Sequence, residues 1–212
     1  MGEIVELSRG IYSAPRASAL SGVPVSTLHY WARRDVLLPS ASQEPRTRLW
    51  TWGDLLVLRV VHWLRSTKPD AKATTMAEVR QTLDAVAFHG VNADELADLI
   101  VVTAAGRVVF EFKDGPHIRP SGQAALRDVL AVVGPFGDAG PDLLRPGDGL
   151  RIVPGKLSGE PHIEGSRIST AAVFALKQRG YSPMQMAEMY PELDERGFIE
   201  AIRLEQRLRH AS

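Results

Sequence analysis

Residues 23–50 constrain the fold most, because they place a short amphipathic helix directly before a polar, basic loop. Leu28, Trp31 and Ala32 recur at helical spacing, so we expect them to face the core. The rest of the helix surface is polar or basic and consists of Ser26, Thr27, His29, Tyr30, Arg33 and Arg34. Such a helix suits the major groove of DNA, and a packed helix beside a surface loop is the structural alternative.

A preceding helix completes a helix-turn-helix pattern. Pro15 suits the first turn of that helix, and Gly22 ends it. The second helix begins three residues later and runs over about residues 25–34. Two short helices joined by a turn that contains glycine are typical of a helix-turn-helix.

A polar arm follows the second helix. Pro39 blocks its continuation, and the chain returns to the core at Leu49 and Trp50. The arm and its return carry Arg46 and Arg48, which suit the phosphates beside a DNA groove.

A third helix is predicted after the arm. Thr51 and Asp54 have the spacing of a capping box. The residues that follow form a broad apolar face, typical of a core helix, at Leu55, Leu58, Val61, His62 and Leu64.

The charge of this 212-residue chain is unevenly distributed. The net charge is zero, but the first 66 residues hold eight arginines against five acids. Local basic charge governs phosphate attraction.

No cysteine is present, which excludes disulfides, zinc ribbons and thiol catalysis. Since no apolar run approaches the roughly 20 residues of a membrane span and the acidic N-terminus lacks a signal-peptide core, we expect a cytoplasmic protein without membrane contact.

The middle of the chain mixes a helix with strands. Thr74 or Thr75 caps a predicted helix that continues to Phe88. Residues 99–113 predict a β-hairpin with Gly106 at its turn. Residues 123–133 are apolar and fit a helix or a strand equally. The glycines and prolines of residues 134–149 mark a connector that lies along a surface, its own or a partner's.

The last 63 residues predict a strand followed by three helices. Ser169 caps the first helix, which Gly180 ends, and Ser182 precedes the second. Asp194 caps the third, which extends to about Arg209. The second and third helices again form a helix-turn-helix-like unit.

Two stretches resemble known families. Thr27-Leu28-His29-Tyr30-Trp31, together with Arg48-Leu49-Trp50-Thr51, looks like the winged-helix DNA-binding head of the MerR family, over about residues 10–66. This resemblance implies that residues 26–34 form the recognition helix and that Arg46 and Arg48 lie on the wing. Trp31 stands where a tyrosine is common, Pro24 stands where a capping serine is frequent, and no long dimerising helix follows the head.

The second stretch reads Gly159-x-Pro161-x-Ile163-x-Gly165-Ser166-Arg167-Ile168. It is similar to a small bacterial domain family associated with antitoxins of toxin–antitoxin operons, over about residues 153–208. The structural turn is assigned to Gly159, Pro161, Gly165 and Arg167: the glycines permit a tight turn and Arg167 pins it through hydrogen bonds. A MerR-like head joined to this tail resembles the larger VapB-type antitoxins, whose partner is a PIN-domain ribonuclease.

These features predict an α+β, mainly α fold in four parts. They are a winged-helix head at residues 1–66, a middle helix and β-hairpin at 67–133, a Gly/Pro-rich connector at 134–149, and a C-terminal three-helix domain at 150–212.

Catalysis is not expected from this sequence. The six histidines show no metal-ligand spacing, and no phosphate-binding glycine loop is present, so we expect no metal, no cofactor and no catalytic residue. His162, Ser166 and the neighbouring glutamates allow a hydrolase site as the alternative, but they show no assembled nucleophile and base.

The resulting hypothesis is a bacterial antitoxin that neutralises a PIN-domain ribonuclease and represses its own operon as a homodimer or a higher toxin–antitoxin assembly. The residues expected to contact operator DNA are Arg16, Ser26, Thr27, His29, Tyr30, Arg33, Arg34, Arg46 and Arg48. His29 and Tyr30 fit the core as well as the groove, and Arg34 fits a solvated face. Arg145, Arg207 and Arg209 are candidates for contact with the acidic site that the resemblance implies for the toxin.

Two alternatives belong to other classes. One is a MerR-like regulator whose middle region binds a small ligand, and the other is an interaction adaptor that has lost DNA binding. The acids of the C-terminal helices favour protein contact there over contact with phosphates.

Overall fold

The computed structural model describes residues 9–42, 44, 47–66, 73, 75–80, 99–104, 107–112, 128–131, 133–135 and 140–210. Of the strands between residues 99 and 131 it describes the backbone alone. The fold is mainly α with small antiparallel sheets, as the sequence predicts. No helix in the described ranges is long and apolar enough to cross a membrane.

The N-terminal head contains the predicted helix-turn-helix. Strand β1 (Ile11–Ser13) leads into α1 (Ala14–Ser21), and α2 spans Val25–Arg33. Gly22 ends α1 in the left-handed conformation, with φ 76°, and its N–H donates to the carbonyl of Ser18 at 2.8 Å.

Strand β2 (Leu49–Thr51) pairs antiparallel with β1 and places Tyr12 opposite Trp50, with both side chains buried. Helix α3 (Trp52–Arg65) begins with the predicted capping box between Thr51 and Asp54. Its apolar face is buried as expected, through Leu55, Leu58, Val61 and Leu64. The β1–β2 pairing had no signal in the sequence, since β1 is only three residues long.

The middle region forms a three-stranded antiparallel sheet. The hairpin of β3 (Leu99–Ala104) and β4 (Arg107–Phe112) confirms the prediction, with Ala104 opposite Arg107. Strand β5 (Asp128–Ala131) lies on the other edge of β3, so this part of the undecided stretch is a strand. Residues 76–80 are helical after the predicted cap at Thr75. The rest of that helix and the Gly106 turn lie outside the described residues.

The Gly/Pro-rich connector packs against the head of the same chain. The Arg59 side chain of α3 is fully buried and donates to the carbonyls of Leu20 at 2.7 Å, of Gly134 at 2.6 Å and of Pro141. Burial lowers the pKa of Arg59 to about 9, against the opposing charge of Asp142, so the side chain stays cationic at neutral pH. A charged side chain thus fixes the connector to the head through backbone carbonyls.

The C-terminal domain has the predicted strand and three helices. It contains β6 (Leu150–Arg151), a 3-10 turn (Leu157–Gly159), β7 (His162–Ile163), α4 (Thr170–Gln178), α5 (Pro183–Met189) and α6 (Glu195–His210). Ser169 and Ser182 cap α4 and α5 as expected. Helix α6 packs against α4 and α5, and α1 of the head also contacts α6. The buried apolar residues of the head and of this domain belong to one cluster.

Candidate nucleic-acid interface

Helix α2 presents a polar face to solvent while its other face is buried. Leu28, Trp31 and Ala32 are buried, as predicted. Opposite them, the exposed residues are Ser26, Tyr30, Arg33 and Arg34, and the half-buried ones are Thr27 and His29. Tyr30 is 51% exposed, which places it on the surface and not in the core. The Arg34 guanidinium lies over the Tyr30 ring at 5.9 Å, within the range of a cation–π contact.

The arm after α2 folds into a wing. A β-bridge joins Ser42 to Leu49, whose N–H donates to the Ser42 carbonyl at 3.0 Å. The Arg48 guanidinium lies 3.3 Å from Nδ1 of His29, so the wing carries its cation to the side of α2. Arg46 lies outside the described residues, and its assignment to DNA stays a prediction.

The base of the wing is held by Asp54. Its carboxylate accepts hydrogen bonds from the Ser40 N–H at 2.9 Å, the Ser40 hydroxyl at 2.7 Å and the Thr51 N–H at 2.8 Å. Burial raises the pKa of Asp54, and these hydrogen bonds oppose the rise. One carboxylate therefore fixes both the start of α3 and the point where the wing leaves the core, and the sequence predicts only the first of these roles.

We expect Asp54→Ala to destabilise the protein by about 1–3 kcal/mol, because it leaves the Ser40 N–H and the Thr51 N–H without the acceptor that they share. For a chain of this size the midpoint of thermal unfolding should fall by roughly 2–4 °C per kcal/mol. Calorimetric melting measures this change. Glu44→Ala is the matched control, since Glu44 is an exposed wing residue. Equal melting of the two variants would remove Asp54 as the anchor.

Arg16 does not lie on this surface, which corrects its assignment to DNA. Its guanidinium contacts Glu160 at 2.6 Å and Glu205 at 2.9 Å, and its side chain is 15% exposed. Burial lowers the pKa of Arg16, but the two carboxylates outweigh burial and raise the pKa above its usual value. The charge of Arg16 is thus neutralised inside the protein.

The candidate partner-binding arginines are placed differently from one another. Arg145 is exposed in the connector. Arg207 donates to the Pro146 carbonyl at 3.1 Å, and the Arg209 guanidinium lies 4.3 Å from the centre of the Phe174 ring. All three side chains are nevertheless exposed, and a role in partner binding remains a prediction for each.

The glycine-rich turn of the C-terminal domain contacts the head. Gly159 has φ +74°, and a Cβ there would lie 2.0 Å from the Tyr12 hydroxyl. Pro161 is buried, and its carbonyl accepts the Thr170 N–H at 2.8 Å. Gly165 has φ +78°, and a Cβ there would meet nothing within 4 Å, so only its backbone conformation requires glycine.

Arg167 does not pin this turn. Its side chain is exposed, and the hydrogen bonds come from Ser166, whose hydroxyl donates to the Ile163 carbonyl at 2.9 Å and accepts the Ile168 N–H at 3.1 Å. His162 lies with Nδ1 3.2 Å from the Glu160 carbonyl. Ser166 and His162 thus each bond to backbone groups. Within the described part of the chain no group of three or more potential metal ligands occurs.

Glu205 is a residue that sequence reasoning missed. It falls on the apolar stripe of α6, between the buried residues Ala201 and Leu208, and only 3% of it is exposed. An acid at a buried position of an amphipathic helix is the signal that could have identified it, because a buried carboxylate needs a partner.

Comparison with known proteins agrees with this geometry. Residues 12–85 match the MerR HTH family regulatory protein model, and residues 151–203 match the model described as Protein of unknown function (DUF433). Uncharacterized HTH-type transcriptional regulators of Mycobacterium bovis and Mycobacterium tuberculosis are 27% identical over 157 residues, covering 66% of this chain and 66% of theirs. The match thus spans just under two thirds of these relatives. No solved structure matches the chain. The chain is thus similar to a MerR-family helix-turn-helix domain over residues 12–85 and to a DUF433 domain over residues 151–203.

Proposed function

We propose that this protein regulates transcription by binding duplex operator DNA, with α2 in the major groove and the wing against the phosphates. The observation that carries the proposal is the solvent-facing surface of α2, polar and basic on a helix whose other face is buried. A major groove admits one α-helix, and phosphate contacts beside it fix the register. The match to the MerR-family model and the names of the mycobacterial relatives support the same function.

In this proposal each part of the surface has a role. Ser26 and Thr27, near the start of α2, read base edges, because recognition helices contact bases through their N-terminal residues. Arg33 and Arg48 contact phosphates. A homodimer reads two half-sites one helical turn apart, and the protein acts by binding and not by catalysis.

The test is a fluorescence anisotropy titration of the full chain with a labelled duplex from the region upstream of its own gene. We expect specific binding that weakens steeply between about 50 and 200 mM salt, because each phosphate contact adds about 0.9 to the salt slope. A scrambled duplex of equal length is the control. Absence of binding at low salt would refute the proposal.

We further propose that the protein is an antitoxin and that its partner is a PIN-domain ribonuclease. Support comes from the DUF433 domain, which carries the antitoxin-like motif, and from its surface. Three large apolar side chains are exposed on or next to helix α5: Met184 is 61% exposed, Met189 45% and Tyr181 40%. Methionine and tyrosine are enriched at protein interfaces. The exposed acids Glu188 and Glu192 disfavour DNA at the same surface.

Co-purification tests this partner. The protein encoded by the neighbouring open reading frame is co-expressed with this chain, and the mixture is separated by size exclusion. We expect a stable complex whose ribonuclease activity is suppressed, and we expect Met184→Asp to weaken it while the control Gln178→Asp does not. A regulator that binds its operator but never retains the nuclease would contradict the antitoxin role and leave the role in transcription intact.

A further inference from the structure

The head and the C-terminal domain meet at a partly buried ion network, in which Glu205 is the buried member. Arg16 of α1 donates two bonds to Glu205 of α6, at 2.9 and 3.1 Å, and further bonds to Glu160 at 2.6 to 3.3 Å. The Thr170 hydroxyl, at the start of α4, donates to Glu205 at 2.5 Å. Because Glu205 is 3% exposed, its charge depends on these partners and not on water.

Two further contacts hold the chain on the N-terminal side of α1. The Tyr12 hydroxyl donates to the Gly159 carbonyl at 3.0 Å, and the Arg9 carbonyl accepts the Gly155 N–H at 2.8 Å. Each joins a residue of the head to one of the C-terminal domain. Helix α1 is therefore fixed both at its entry and at Arg16, in its first turn.

Helix α1 in turn supports α2. The two helices are joined by the turn 22–24 and pack together through side chains that exclude solvent, among them Leu20, Val23 and Leu28. Closely packed helices move together, because a shift of one opens a void or a clash against the other. The placement of α1 therefore determines the placement of the face that α2 presents.

We infer that the C-terminal domain sets the position of the helix-turn-helix, and that Glu205 is the positioning residue that acts on α2 through Arg16 and α1. The consequence for DNA affinity rests on the proposed function, whereas the mechanical coupling does not. Through the same coupling, a partner bound to the C-terminal domain can shift α1 and, with it, the DNA-binding face of α2.

The experiment is amide hydrogen exchange on the full chain with Glu205→Gln, which keeps the size of the side chain but removes its charge. We expect exchange in α1 and α2 to accelerate about tenfold while α5 keeps its wild-type rate, because the opening is local. Glu200→Gln is the matched control, since Glu200 lies on the same helix and pairs with the exposed Arg203 at 2.5 Å. Unchanged exchange in α1 and α2, or an equal rise in α5, would overturn the inference.

Two conservative variants extend the test. Arg16→Lys keeps the charge but loses the fork that bridges two carboxylates, so we expect the same exchange pattern at a smaller amplitude. Thr170→Val removes only the hydroxyl bond to Glu205, and it replaces Glu205→Gln if that variant does not fold. Acceleration in α4 without any change in α1 and α2 would contradict the coupling.

Binding to the upstream duplex separates this inference from the proposed function. We expect Glu205→Gln to bind more weakly with an unchanged salt slope. The variant keeps every arginine that contacts phosphate, and only the placement of α2 changes. Wild-type protein that does not bind DNA refutes the proposed function, and the exchange pattern then decides the inference by itself. Wild-type binding that equals that of Glu205→Gln overturns the inference alone.

Discussion

Replacing Arg33 and Arg48 together by alanine is expected to weaken the binding of duplex DNA by about 100-fold, the largest change in affinity that two substitutions in this chain should cause. Each loses a charge-assisted contact to phosphate worth about 1.5 kcal/mol, and the two losses add. The slope of log affinity against log salt should fall by about two. Anisotropy titrations at several salt concentrations measure both quantities.

The matched control is Lys177→Ala with Arg179→Ala. Both residues are exposed on the C-terminal domain, so this variant loses the same two charges away from the candidate interface. It should bind like wild type if position, and not overall charge, determines affinity. Melting temperatures of both variants show whether the head stays folded, since Arg48 also contacts His29. Equal loss of affinity in the two variants would mean that the wing and α2 have no special role.

Among Gly→Ala substitutions at the described glycines, Gly159→Ala is expected to cause the largest loss of stability, roughly 2–4 kcal/mol. Its φ of +74° disfavours any side chain, and the new carbon would lie 2.0 Å from the Tyr12 hydroxyl and 2.9 Å from the Arg9 carbonyl. Conformational strain of about 1 kcal/mol therefore adds to an overpacking cost of about 1–3 kcal/mol. Denaturant unfolding measures the sum.

Gly165→Ala separates the conformational strain from the cost of overpacking. Gly165 has φ +78° in the same motif but open space around it, so its replacement should cost only the conformational term. Adding Tyr12→Phe should recover part of the loss in Gly159→Ala, because removing the hydroxyl removes the closest atom. Equal free energies of unfolding for Gly159→Ala and Gly165→Ala would show that the turn does not press on the head.

Local features of this fold were predictable because their partners are close in sequence. The caps formed by Thr51, Ser169 and Ser182 each join residues three apart, and the structure confirms all three. The buried face of α2 follows from helical periodicity alone. The β-hairpin likewise depends on neighbouring residues.

Features that join distant residues were not predictable in the same way. Arg16 and Arg33 both stand beside alanines in short helices, and only the fold shows that Arg16 meets Glu205, 189 residues away. Nothing near Arg59 in the sequence indicates the three backbone carbonyls to which its side chain donates. Arginine's five donors make Arg167 the natural candidate to pin its turn, whereas the shorter Ser166 lies where the turn closes. Composition supplies the charges, and the partners come from tertiary contacts.

The central claim is that α2 and the wing form the DNA-binding surface, and hydrogen exchange of the full chain, free and saturated with the upstream duplex, tests it most directly. The account predicts that DNA slows exchange most at residues 25–34 and 41–49, with α5 unchanged. Slower exchange confined to the C-terminal helices, with α2 and the wing exchanging as in the free protein, would contradict it.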